Sequence, residues 1–357
     1  MLKPRETIAG LRPYHSPIVS RAGLSLDLNE SMAGCSPRVL ARLRSLSADE
    51  LSLYPEREVG ERLVASFLHL GPEQVLLTNG MDEALSLLFN AYLGPGDELL
   101  FADPTFVMYP MLGAAQGAQV VRVQSCEDLT LPVADLLARI SPRTRLIAIA
   151  NPNNPTGLAA SRVDLLKIVE AAPDVAVLVD EAYFEFCGAA LTCRTMIPDL
   201  ARHPNLFVGR TFSKAYGLAG LRLGVLAGAA EQIDYLRRLS LPFNVNSVAL
   251  ACLEEALADR SFVSEHIAQV KRERKRLERL CNELGLRFWP SQTNFVLVRV
   301  GAQAKTFVEA MQQRGILVRD ASANPGCNGC VRITVGTRAQ MDGVLQAIRE
   351  SVAESRA

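Results

Sequence analysis

The sequence predicts an α/β protein built from a large domain with a mainly parallel sheet and a smaller α+β domain. Three observations carry this. Strand and helix patterns alternate from about residue 60, the strands are short and apolar without a polar face, and the texture changes after residue 245. Alternation over such a length means parallel strands joined by right-handed crossovers. Strands without a polar face are those buried on both sides. A chain of 357 residues also exceeds the size that one core usually serves. The expected boundaries are 31–245 for the large domain and 1–30 with 246–357 for the small one.

In order, GERLVASFLHL reads as a helix, QVLLT as a strand, MDEALSLLFNAYL as a helix and ELLFAD as a strand. PTFVMYPMLGAAQ is helical, AQVVRV a strand, VADLLARI a helix and TRLIAIA a strand. SRVDLLKIVEAA is a helix, and VAVLVD, NLFVGRTF and RLGVLAG are strands. Beyond residue 245 one long helical run, NSVALACLEEALADRSFVSEHIAQVKRERKRLERLCNEL, precedes the strands LRFWPS and NFVLVRV. The helix AKTFVEAMQQRG, the strands GILVRDAS and VRITVGT, and a helix from Arg338 to about Glu354 finish the chain. The first ~30 residues are too weakly patterned to form a domain alone and are expected to complete the small one.

Composition excludes several classes. With 49 % hydrophobic and 21 % charged residues the chain is globular, not disordered. Lys+Arg and Asp+Glu are both 38, so no net field draws nucleic acid or an anionic membrane. No apolar run approaches the ~20 residues that span a bilayer, and MLKPRETIAG lacks the apolar centre of a secretory signal. A cytoplasmic location is expected, with the eight cysteines as reduced thiols. Cys327-Asn-Gly-Cys330 has metal-like or redox-like spacing. It has no second such pair and none of the four histidines (15, 69, 203, 266) beside it, so it reads as structural and no metal is expected. The basic run KRERKR sits on an amphipathic helix interleaved with glutamate, the pattern of a solvated face.

Chemistry is expected where loops leave the carboxyl ends of such strands, and four loops stand out. In TNGMDEAL a strand turns through glycine into a helix, leaving free N–H groups around Met81 and Asp82 that suit a phosphate. A helix end supplies only about half a charge against about −1.5 to −2 on a phosphate monoester. A cation must therefore help, and Asp82, which could equally be complementing the helix end, cannot. IANPNNPTG offers Asn151, Asn153 and Asn154 on a loop pinned by two prolines, or else a plain Asn/Pro turn. In VAVLVDEAYFEF, Asp180 ends an apolar strand, where a carboxylate needs a cation, strong donors or a capping role. Tyr183 lies three residues on.

The fourth loop, RTFSKAYGLAGLRLG, holds Thr211, Ser213, Lys214 and Arg222. Only six lysines occur among 38 basic residues, and this one sits among apolar residues and glycines rather than in a surface-like stretch. Burial lowers a lysine's pKa, and a neutral amine can add to a carbonyl where arginine cannot. A phosphate cradle, a carboxylate, a tyrosine, an asparagine and an imine-forming lysine match one cofactor, pyridoxal 5′-phosphate.

NPNNPTG, DEAYFEF and RTFSKAYGLAGLRLG, together with LYPE, TNGMDE, DPTFVMYP, ILVRD and GCVRITVGT, resemble the fold-type-I pyridoxal-phosphate aminotransferases. More narrowly, the chain is similar to histidinol-phosphate aminotransferases along nearly its whole length. The resemblance implies a seven-stranded sheet in the large domain and a homodimer. It implies that Lys214 forms the imine with the cofactor and carries the proton between substrate and C4′, that Asp180 holds the pyridine nitrogen protonated, and that Tyr183 and Asn154 bond the ring's O3′. Tyr109 would stack on the ring. Thr211, Ser213, Arg222 and the amides of Met81 and Asp82 would hold the phosphate, with Tyr54 reaching the phosphate of the neighbouring subunit. Arg332 would bind the amino acid's carboxylate, Arg319 the distal anionic end, and Tyr14 the substrate phosphate.

The family's N-terminal segment usually reads LNENPYGPSP; here it is LNESMAGCSP, with Ser31 and Ala33 at the changed positions. The expected activity is exchange of an amino group between glutamate and imidazole-acetol phosphate, in histidine biosynthesis. An aromatic or other amino-acid aminotransferase, or a phosphoamino-acid decarboxylase of the same fold, is the alternative; a non-catalytic cofactor-binding protein would need a feature not visible here.

Overall fold

A computed structural model describes residues 2–13, 23–187 and 194–356. The strands are β1 (Leu24–Ser25), β2 (Val75–Asn79), β3 (Glu98–Asp103), β4 (Gln119–Gln124), β5 (Thr144–Ala150), β6 (Ala176–Asp180), β7 (Leu206–Thr211) and β8 (Leu223–Ala227). They continue with β9 (Arg287–Phe288), β10 (Phe295–Arg299), β11 (Ile316–Leu317), β12 (Arg319–Asp320) and β13 (Cys330–Thr334).

Seven strands form the larger sheet in the order β2-β8-β7-β6-β5-β3-β4. All its neighbours pair in parallel except at β8, which runs antiparallel to both β2 and β7. Helices cover both faces, which is why β6 and β8 are buried at every position. Apolar clusters lie on each side of the sheet, one around Leu85, Phe89 and Phe207 and another around Leu136, Ile168 and Leu200. The smaller sheet, β12-β13-β10-β9, is antiparallel and packs on the helices Arg260–Glu283 and Arg338–Arg356 around Phe307, Met311 and Leu277. β1 pairs in parallel with β11, and Thr334 N–H donates to the Leu26 carbonyl at 2.9 Å. The N-terminal segment thus pairs with strands of the C-terminal part.

Several elements differ from expectation. The long helical run is broken at Asp259, which ends the helix Ser247–Ala258 and caps the next one through Phe262 N–H; an aspartate cap hides easily in an otherwise periodic stretch. LRFWPS yields only the two residues of β9, and GILVRDAS is divided between two sheets as β11 and β12. Helices at Pro37–Arg44 and Ala230–Leu239 are additional. Cys187 is disulfide-bonded, which corrects the reading of eight reduced thiols: pairing depends on how closely two Cα atoms approach, and composition is silent on that. Cys35, Cys126, Cys252, Cys281, Cys327 and Cys330 are free. No helix among the described residues is long and apolar enough to cross a membrane, and no cluster of three or more metal-ligating side chains occurs among them.

Candidate active site

β2, β5, β6 and β7 share one direction, so the loops after them open on one edge of the sheet, where β8 begins. Register fixes their spacing: Asp180 lies beside Ala150 and Gly209, and Gly224 pairs with both Thr211 and Thr78. Arg222 stands just before β8, in the left-handed region at φ +56°. The four loops singled out from the sequence therefore meet.

Glycines permit this. Gly80 has φ +77°, and a Cβ there would collide with the Arg222 guanidinium; a Cβ on Gly224 would run into the backbone of Gly80 and Met81. The helix Gly80–Tyr92 consequently starts against β8, with Arg222 Nη2 2.9 Å from Asp82 Oδ2 at the surface. Met81 points its side chain into the core, leaving only its backbone for a ligand. Thr211 and Ser213 are both buried beside this start, with Ser213 N–H donating to Thr211 Oγ1 at 3.1 Å. Gly217 has φ +69°, and its Cα lies so close to the Gly34 carbonyl that no side chain fits. Thus the lysine loop rests directly on LNESMAGCSP.

Lys214 Nζ donates to the Leu28 carbonyl at 3.2 Å. Burial, and next the Arg332 cation, bring its pKa down to about 8. Asp180 is buried and accepts from Tyr109 Oη at 2.9 Å and Ala182 N–H at 3.0 Å. Burial pushes its pKa up to about 6 despite those bonds, and no ion pair holds it among the described residues. A cationic N–H donor is what this carboxylate lacks. Tyr109 is wholly buried, its ring near Phe89 and Phe106 and its hydroxyl on Asp180.

Tyr183 faces the same space. Its Oη accepts from Asn29 Nδ2 at 2.9 Å, and its ring meets Phe295 edge-on. Asn154 Oδ1 accepts from Arg332 Nη1 at 2.6 Å, and Arg332 Nη2 donates to the Asp27 carbonyl. Arg319 is the register partner of Arg332 across β12 and β13. Tyr54 is not part of this cluster: it is 77 % exposed and stacks on Phe243 at 4.1 Å. Tyr14 lies outside the described residues.

One site residue escaped the sequence reading. Asn29 is 2 % exposed and adopts φ +57°. Besides its bond to Tyr183, its N–H and Oδ1 meet Thr334 Oγ1 and its carbonyl accepts from Asn294. It ties the N-terminal segment, β13 and Tyr183 together. The signal available was a lone asparagine after the apolar run LSLDL, which is too common a pattern to single out.

The residues present suit a phosphorylated aldehyde with a basic ring nitrogen. The half-buried amine with its lowered pKa, the under-bonded buried carboxylate and the glycine-lined start of a 13-residue helix supply one group for each of its functions. A family model for class I and II aminotransferases matches residues 22–348. The chain belongs to that family, whose enzymes depend on pyridoxal phosphate. It is 36 % identical over 334 residues to histidinol-phosphate aminotransferase 1 of a Bacillus cereus strain, covering 93 % of this chain and 89 % of that protein. It is 34 % identical over 352 residues to histidinol-phosphate aminotransferase of Dehalococcoides mccartyi (strain CBDB1), covering 97 % and 96 %. The solved structure of histidinol-phosphate aminotransferase from Sinorhizobium meliloti in complex with pyridoxal-5′-phosphate is similar with a TM-score of 0.91 at 26 % identity, over 99 % and 98 % of the two chains.

Proposed function

We propose that this aminotransferase exchanges an amino group between glutamate and imidazole-acetol phosphate, so that histidinol phosphate is its distinctive substrate. The observation that carries this is the register pairing of Arg319 with Arg332, which brings two cationic residues to one place and suits substrates that are a phosphate monoester in one half-reaction and a dicarboxylate in the other. The similarity to named histidinol-phosphate aminotransferases agrees with it.

In this reading residues 31–245 hold the cofactor, and residues 1–30 with 246–357 supply the arginines that meet the substrate. When bound, pyridoxal phosphate supplies an electron sink for the substrate's α-carbon and a place to store the amino group. Lys214 binds the aldehyde and, once displaced by substrate, moves the proton at the α-carbon; its lowered pKa leaves an acceptor form accessible near neutral pH. Asp180 keeps the ring nitrogen protonated. Tyr183 and Asn154 would bond O3′, and Thr211, Ser213, Arg222 and the Met81 and Asp82 amides would hold the phosphate. Tyr109, expected to stack on the ring, is wholly buried with its hydroxyl on Asp180 and would position that carboxylate instead. Arg332 takes the carboxylate by a planar fork, Arg319 the distal anion, and Tyr14 contributes to the substrate phosphate.

A panel of amino donors offered to the loaded enzyme, with the bound cofactor's absorbance as readout, tests the substrate. Histidinol phosphate and glutamate should both convert the spectrum. Conversion by phenylalanine but not by histidinol phosphate would overturn the assignment in favour of an aromatic aminotransferase, and release of carbon dioxide from a phosphoamino acid would overturn it in favour of a decarboxylase.

We read the working unit as a homodimer in the cytoplasm. Leu51, Leu53, Tyr54, Leu241 and Phe243 form an exposed apolar surface next to the helix Ala48–Ser52, and such patches mark contacts. Sedimentation should give twice the 38.8 kDa chain mass, and Phe243→Asp should give single chains with unchanged helix content. Wild-type protein that sediments as single chains at micromolar concentration rules the dimer out.

A further inference from the structure

The Cys327–Cys330 pair has no part in the site above, yet its surroundings are those of reactive thiols. Cys330 N–H donates to the Cys327 carbonyl at 2.9 Å, and Gly329 within this turn has φ +70°. Such a turn keeps its end Cα atoms within about 7 Å, and a disulfide spans roughly 4.4–6.8 Å. Both cysteines are buried against Leu129, Trp289, Leu297 and Ala321. Both cysteines are 0 % exposed, while Pro325, Gly326 and Asn328 of the same segment are exposed.

The two sulfurs are not equivalent. Register places Arg287, Arg299 and Cys330 side by side across β9, β10 and β13. Arg299 Nη2 donates to the Gly326 carbonyl at 2.9 Å, while its Nε is a buried donor with no hydrogen-bond partner. A thiolate at Cys330 would give that donor an acceptor. Cys330 Sγ donates to the Asn328 carbonyl at 3.8 Å. The neighbouring Cys327 first, then Arg299 and Arg287, draw the Cys330 thiol down in pKa, and Cys330 pushes Cys327 up. Cys330 is thus the more readily ionised of the two sulfurs and Cys327 the one that holds its proton, the asymmetry that a dithiol closing on oxidation uses.

The turn also touches the substrate side of the molecule. Trp289 Nε1 donates to the Asp128 carbonyl at 2.8 Å, tying the smaller sheet to the loop after β4. Gly326 approaches Leu129 so closely that a Cβ would clash with it. Arg332, held on Asn154, follows Cys330 by two residues on β13.

We propose that Cys327 and Cys330 form a reversible dithiol–disulfide site, oxidised by hydroperoxides, whose closure slows transamination by shifting β13 and Arg332. The Cys330 thiolate attacks one peroxide oxygen: an S–O bond forms, the O–O bond breaks, and the departing hydroxide takes a proton and leaves as water. The Cys327 sulfur then attacks Cys330 sulfur, the S–S bond forms, the S–O bond breaks, and the second oxygen leaves as water with the Cys327 proton. Two electrons pass from the sulfurs to one peroxide. The inference is independent of which amino donor the enzyme prefers.

Trp289 is the only tryptophan in the chain, so its fluorescence reports on this cluster alone. Holoenzyme treated with hydrogen peroxide should lose two hydrogens from the peptide containing both cysteines, show a changed Trp289 emission, and fall several-fold in kcat/KM with its best donor. Dithiothreitol should reverse all three. Cys327→Ser should keep the unoxidised rate and lose the peroxide response. Two outcomes overturn the proposal: both thiols still alkylated after peroxide treatment, or a mapped 327–330 disulfide with kcat/KM unchanged. Peptide mapping of the wild type decides the first question even if the serine variant does not fold.

Discussion

Lys214→Ala should reduce kcat by at least about 10³-fold, within the range that a positioned acid–base group contributes, and should abolish the visible absorbance that the wild type gains with pyridoxal phosphate. The remaining five lysines are at positions 3, 167, 271, 275 and 305; Lys167 donates to Asp164 and Lys271 to the Cys187 carbonyl. The amine also sets a pH profile. Burial first, then Arg332, depresses it from 10.5 to about 8, so cofactor capture by the apoprotein should accelerate as pH rises through about 8 and level off above. Stability carries the same signature with a definite sign. Between about 8 and 10.5 the unfolded lysine holds a proton that the folded one has lost, so the unfolded state binds more protons and stability rises with pH. Lys214→Ala should flatten that rise. Turnover within tenfold of wild type would remove Lys214 from the mechanism.

Asp180→Asn should lower kcat by about 10²- to 10⁴-fold, the equivalent of the ~3–5 kcal/mol lost when one partner of a buried ion pair is removed. Asparagine keeps the shape and a hydrogen bond to Tyr109 but cannot hold a proton on the ring nitrogen. The apoprotein offers a readout that does not pass through activity. Burial raises the Asp180 carboxyl from 3.8 to about 6, so between those values the folded state is protonated and the unfolded state ionised. Stability must fall as pH rises through that window. In urea titrations at pH 4 and pH 7, the apo variant should show a smaller loss of stability than the apo wild type. Equal losses would show that Asp180 carries its charge without strain, and near-normal kcat would show that the ring nitrogen has another partner.

The fold was legible where periodicity and burial coincide. β5 falls on TRLIAIA residue for residue because seven apolar-rich positions between Arg143 and Asn151 admit no other element of that length. The break at Asp259 was not legible, since one capping side chain decides it. GILVRDAS looked like one strand; only the positions of β1 and β13 divide it. At the site, Lys214, Asp180 and Arg222 stood out because each is a polar group in an apolar or glycine-rich setting, which costs free energy unless it has a use.

What the sequence by itself determined is therefore the large sheet, the four loops at its carboxyl edge and the chemical parts they carry, because each is written in a stretch of fewer than about 15 neighbouring residues whose local physics can be read directly. Tertiary structure alone decided the rest. Asn29 reaches Tyr183 across 154 positions, Arg319 meets Arg332 only through the register of β12 on β13, and Arg299 comes beside Cys330 only through β10 on β13. Contacts of that separation depend on how whole elements dock, and no local pattern of residues encodes them.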